Sequence, residues 1–116
     1  MISSDERDLI HRFIIVDLMY RTLLRDWRFI HYFKMEFAFT AWFELQQSQL
    51  QRELKQLKTV LKSKGIIVLD MKIIDEYFCK FKIATKGEDM ELQYSSHALK
   101  NEIQQEVRKR LVSEKV

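Results

Sequence analysis

With 116 residues, 47% of them hydrophobic and 32% charged, the chain has the composition of a globular protein, not of a disordered or fibrous one. A chain of this length buries roughly two-thirds of its unfolded surface, so a core forms without metal, and the one cysteine, Cys79, excludes an intramolecular disulfide and fits a reducing compartment. A net charge of +3 is only mildly basic, and acids and bases mix along the chain instead of gathering into a nucleic-acid footprint.

Neither a secretion signal nor a membrane span is expected. The apolar run from Phe13 to Met19 is preceded by charges, is broken by Asp17 and lacks a small-residue cleavage site. It is also far shorter than the about 20 residues a bilayer demands. The expected location is the cytoplasm.

Proline is absent and both glycines, Gly65 and Gly87, come late, so residues 1–64 contain neither strong breaker and read as long helices. The first helix opens at Ser3 or Ser4: Ser3 and Glu6 have the spacing of a capping box, and Asp5 and Glu6 suit the positive helix pole. Leu9, Phe13, Val16, Tyr20, Leu23, Trp27 and Ile30 recur in steps of four and three, and Ile10, Ile14, Leu18 and Leu24 widen that stripe. Such a helix must be covered on more than one side.

The second helix is legible from its end, where Gly65 follows Lys62 and Lys64 as a C-terminal stop. Phe39, Phe43, Leu50, Leu54, Leu57 and Leu61 mark its buried face, with Gln46 where an apolar residue belongs. Glu44, Ser48, Gln51, Lys55, Lys58 and Lys62 form the wet face. One unbroken rod would strand its aromatic surface in water, so a reversal between Tyr32 and Ala38 is expected, giving an antiparallel helical hairpin.

Past Gly65 the period changes. Ile66 to Ile74 is β-branched and apolar. Tyr77, Cys79, Phe81 and Ile83 then alternate with Lys80 and Lys82, with Asp75-Glu76 as a loop that lacks the preferred Asn-Gly chemistry. Lys86 to Asp89 reads as a second turn, and Met90, Leu92 and Tyr94 as a short third strand. A helix opening at Ser95 or Ser96 closes the chain, with Leu99, Ile103, Val107 and Leu111 on one stripe. The expected fold is α+β: an antiparallel helical hairpin, a two- or three-stranded β-meander and a C-terminal helix, α-α-β-β-(β)-α, in one domain spanning 1–116.

Chemistry-bearing constellations are sparse. His11, His31 and His97 have no metal-site spacing and read as scattered surface histidines. Cys79 reads as a small buried hydrophobe on the second strand. Two glycines build no phosphate-cradling loop. No cofactor and no enzymatic activity are expected. Asp17 and Arg21 have the spacing of an exposed helical ion pair. Arg21, Arg25 and Arg28 form a strip with Lys34 close by, an arrangement that can grip phosphates but reads more simply as a solvated face.

Aromatic residues are the densest feature. Trp27, Phe29, Tyr32, Phe33, Phe37, Phe39, Trp42 and Phe43 crowd the presumed reversal and cannot all point inward from one hairpin tip. Core packing takes most of them, and an exposed remainder marks a partner surface. A homodimer is favoured, with another protein as the alternative partner.

Leu24-Arg25-Asp26, Phe33-Lys34-Met35, the stretch Leu57 to Val68 running from a basic helix end into a strand, and Lys100-Asn101 together give the chain a layout that resembles the small uncharacterised Bacillus proteins of the YhjD type. The resemblance covers most of the chain, with one departure: no proline follows Phe33-Lys34-Met35. It implies a bacterial cytoplasmic protein and transfers no functional residues. The combined expectation is a non-catalytic, self-associating interaction or regulatory domain, with a winged-helix-like nucleic-acid regulator using Arg21, Arg25, Arg28 and Lys34 as the rival.

Overall fold

The computed structural model of the chain describes residues 2–32 and 34–113, with side chains except at 30–32, 112 and 113. Its first helix, α1, spans Ser4–Asp26 and starts on a complete capping box. The Ser3 hydroxyl accepts from the Glu6 amide at 3.1 Å, and the Glu6 carboxylate accepts from the Ser3 amide at 2.8 Å. Hydrogen bonds from the Ser3 backbone and then its side chain hold the Glu6 carboxyl below its usual pKa.

The innermost line of α1 is Ile10, Ile14, Ile15, Val16, Met19 and Leu23. That corrects the expected stripe: Leu9, Phe13, Tyr20 and Trp27 are only half-buried flanks, Leu24 is exposed, and the Ile30 side chain lies outside the described residues. The reason is double coverage. Ile10, Ile14 and Ile15 join one core cluster, facing the sheet, while Val16, Met19 and Leu23 join another, facing the second helix.

A 3-10 helix, Trp27–Tyr32, leads into the second long helix, α2, which spans Glu36–Ser63. The reversal thus falls within the expected window, although α1 stops at Asp26, before it. Arg12 reaches Glu53, Tyr20 reaches Gln51 and Trp27 meets Phe43. Partner numbers fall as α1 is climbed, which is antiparallel pairing. On α2, Phe43, Gln46, Leu50 and Leu61 are buried and the expected wet face is exposed. Phe39 does not belong to the buried face; it is exposed on the first turn of α2.

The end of α2 is set by Gly65 at φ 75°. The Gly65 amide donates to the Lys62 carbonyl and the Ile66 amide to the Leu61 carbonyl, both at 2.9 Å. These are the two bonds of a Schellman motif, and its usual apolar contact is present because Ile66 and Leu61 share a core cluster.

The sheet has three antiparallel strands in the order β1-β2-β3: β1 Ile67–Ile73, β2 Phe78–Ala84 and β3 Met90–Ser95. Cys79, Phe81 and Ile83 point into the core as the alternation predicts, but Tyr77 lies in the turn before β2 and is exposed. Asp75 supplies the turn chemistry that Asn-Gly would have: its carboxylate accepts from the Tyr77 and Phe78 amides at 2.8 and 2.9 Å, an Asx-type turn. Pairing of β1 with β2 slips between Val68 and Met71, so that Val68 faces Ile83 while Met71 faces Phe81 and Ile73 faces Cys79. This bulge brings Val68 and Met71, three apart, onto the same helix-side face.

The last helix, α3, spans Ser96–Ser113. Ser95 accepts from the Ala98 amide at 3.2 Å as its cap, and the Ser96 amide donates to the Tyr77 carbonyl at 2.8 Å. Leu99 is buried and Ile103 and Val107 pack half-buried on the clusters, whereas Leu111, expected on the same stripe, is exposed because the clusters end at Val107. The observed order is α-α-β-β-β-α.

Two glycine substitutions test the chain reversal after α2. Gly65→Ala forces an L side chain into the left-handed region and lowers the urea-denaturation stability by about 1–2 kcal/mol. Gly87 has open space around its Cα, and Gly87→Ala stays within about 0.5 kcal/mol of the parent.

Candidate functional site

At the hairpin tip the aromatic residues divide. Phe43 is buried, with Trp27 and Trp42 half-buried around it, and both indoles meet its ring edge-on at 5.6 and 5.4 Å. Phe37, by contrast, is 81% exposed, and Phe29, Phe39 and Met35 are exposed beside it. Phe33 and the Tyr32 side chain lie outside the described residues. So three of the eight candidates build core and three face water.

The candidate phosphate-gripping bases Arg21, Arg25, Arg28 and Lys34 are all exposed near this tip. Arg21 pairs with Asp17 at 3.1 Å, the surface ion pair its spacing suggests. Arg28 donates to the Arg25 carbonyl at 3.2 Å and sits 5.8 Å from the centre of the Phe29 ring.

A second uncovered apolar surface runs along β1 and the turn after it. Ile73 is 69% exposed and Met71 43%, although register puts both on the helix-side face. Ile67, Leu69, Ile74, Tyr77 and Phe78 are exposed with them. Next to this strand lies an open groove of ≈ 610 Å³ lined by Phe13, Leu18, Val68, Met71 and Phe81, with Asp17, Arg21 and Lys58 at its polar side. The sequence shows a strand here but not its place in the sheet. Asp70 and Lys72, charges inside an apolar strand, were the available sign of an edge.

A polar clamp joins the three long helices, and nothing in the sequence pattern announces it. Arg12 of α1 donates to Glu53 of α2 at 2.8 Å and to Glu106 of α3 at 3.1 Å. Arg110 of α3 lies 3.5 Å from Glu53 and donates to the Gln46 side-chain oxygen at 2.9 Å. Burial works against the Arg12 charge, but Glu53 and Glu106 outweigh it and raise the guanidinium pKa. Gln46 is therefore buried, at 0% exposure, with its oxygen accepting from Arg110.

His11 is not the scattered surface histidine the sequence suggests. Its Nε2 lies 2.9 Å from Glu102, its Nδ1 3.3 Å from the Tyr94 hydroxyl, and the His11 and Tyr94 rings stack at 5.6 Å. Burial, and then the Glu102 charge, push the Tyr94 phenol above its ordinary pKa. Cys79 is a buried free thiol. Among the described residues no group of histidine, cysteine and carboxylate side chains could hold a metal ion, and no helix is long and apolar enough to cross a membrane.

The family model for the YhjD protein matches residues 1–115, and the chain belongs to that family. No curated protein and no solved structure matches it.

Two measurements test these networks. Arg110→Ala removes one donor to the buried Gln46 and an ion-pair partner of Glu53, and costs about 1–3 kcal/mol in chemical denaturation. Because the folded-state pKa of Tyr94 is raised, the folded protein holds its phenolic proton longer than the unfolded chain does. Stability conferred by that proton is intact below the unfolded-state value and falls as pH rises through the folded-state value. Tyr94→Phe therefore flattens the alkaline limb of a stability–pH profile relative to the parent.

Proposed function

We propose that this member of the YhjD protein family is a non-catalytic interaction domain that self-associates in the cytoplasm. The observation that carries this is the apolar surface left uncovered in two places, the Phe29–Phe39 tip and the β1 edge with its following turn. A lone surface leucine is ordinary, but clustered aromatic and aliphatic side chains of this kind mark contact surfaces. Large rings at a helix reversal also lose little conformational freedom on binding and dominate interface energetics when buried.

A non-catalytic role is supported by where the reactive side chains have gone. The thiol of Cys79 packs inside the core cluster, and His11 is engaged by Glu102 and Tyr94. An active thiol needs an accessible, electropositive setting instead. The cytoplasmic assignment has the support of that free thiol and of the mixed surface charge.

Sedimentation equilibrium tests the self-association. A species of twice the chain mass is expected at micromolar concentration, dissociating on dilution. A monomer at every concentration removes the ground for the proposal.

A further inference from the structure

Both outer strands of the sheet have one unpaired edge, but they are not alike. The apolar residues of β3, Met90, Leu92 and Tyr94, are half-buried against the core. Of those of β1 only Val68 is, and among the described residues the backbone from Ile67 to Ile73 makes no hydrogen bond beyond its ladder to β2. A free, apolar edge of this kind is a template for another strand.

The charges on β1 say which strand. Asp70 and Lys72 flank Met71 and, among the described residues, neither has an ion-pair partner. Lys72 instead stands directly across from Lys80, a like-charge pair that costs stability. Lys80 has its own acid, Glu91, at 3.1 Å. What β1 lacks is a carboxylate paired with Lys72 and a cation paired with Asp70, which only shares its groove with Arg21 and Lys58. A copy of β1 laid antiparallel about Met71 offers both.

Resting on the self-association proposed above, we infer that a second copy of this chain adds its β1 antiparallel to the free edge of β1, about a two-fold axis at Met71. In this register Asp70 stands opposite the partner's Lys72, twice over, and the two Met71 side chains meet on the axis. Leu69, at the bulge, stands opposite the partner's Ile73, so that exposed helix-side residue comes over the groove lined by Phe13, Leu18 and Phe81. Cross-strand pairs of opposite charge favour this register and like charges in other registers oppose it. The bulge next to Met71 keeps the paired segment short, and the two-fold axis closes the assembly at two copies.

Charge reversal at the seam is the test. Asp70→Lys, or Lys72→Asp, places like charges opposite each other twice and weakens the dimer at least about tenfold in sedimentation equilibrium. The double exchange Asp70→Lys/Lys72→Asp restores it, and Phe37→Ser/Phe39→Ser leaves it intact. Single reversals without effect, or a double exchange that fails to restore the dimer, overturn the seam. If the tip variant then dissociates, self-association stands on the other surface. A wild-type monomer ends both proposals. Without any variant, amide exchange at Met71 and Ile73, whose N–H groups alternate with that of Ile74 and so face the free edge, slows between dilute and concentrated protein; exchange there that ignores concentration also overturns the seam.

Discussion

One helix serves two cores. The first half of α1 gives Ile10, Ile14 and Ile15 to the cluster it shares with Leu61, Cys79, Phe81 and Ile83. Its second half gives Val16, Met19 and Leu23 to the cluster it shares with Phe43 and Leu50. At about 1.5–3 kcal/mol for each fully buried aliphatic side chain, these six residues are the largest helical contribution to the fold. The arrangement also sets its limits. A helix some 35 Å long, by the rise per residue, cannot cover a whole α2 and a whole three-stranded sheet as well. Coverage runs out at the far part of β1 and at the tip beyond Asp26, where the apolar surface lies open.

The third helix is held differently. Its apolar stripe is thin, with only Leu99 buried among the described residues, and its place is fixed by Arg12, Glu53, Glu106 and Arg110 acting across all three helices. A clamp of partly exposed charges adds little net stability. It does add direction, because guanidinium groups bind only from certain approaches and a shifted α3 would part Arg110 from Gln46 and Glu106 from Arg12. The apolar clusters decide that α3 packs; the charges decide in which orientation.

What could be read from the sequence is what is decided locally. The Ser3–Glu6 box, the Gly65 stop and the alternation through β2 and β3 all depend on residues within a few positions, and all appear in the fold. The α+β order followed from them. Gln46 was visible as an anomaly, but its donor lies 64 positions away. Spacing could not reveal it, nor that His11 meets Glu102 across 91 positions. The stripe on α1 was misplaced because heptad spacing presumes one partner face, whereas α1 has two. Phe29, Phe37 and Phe39 are exposed while Phe43 is buried, and which rings turn inward depends on where α1 stops. The exposed character of β1 depends on sheet order and on a bulge, neither of which a period-two pattern encodes.

If α1 is the element both clusters share, it cannot open without dissolving both. Native-state hydrogen exchange, followed amide by amide in rising denaturant, asks this directly. The amides of α1 from Ile10 to Leu23 are expected to exchange only through global unfolding, at the free energy that bulk denaturation gives. Exchange of those amides at a lower free energy than the amides around Leu50 in α2 or Phe81 in β2 would contradict the account.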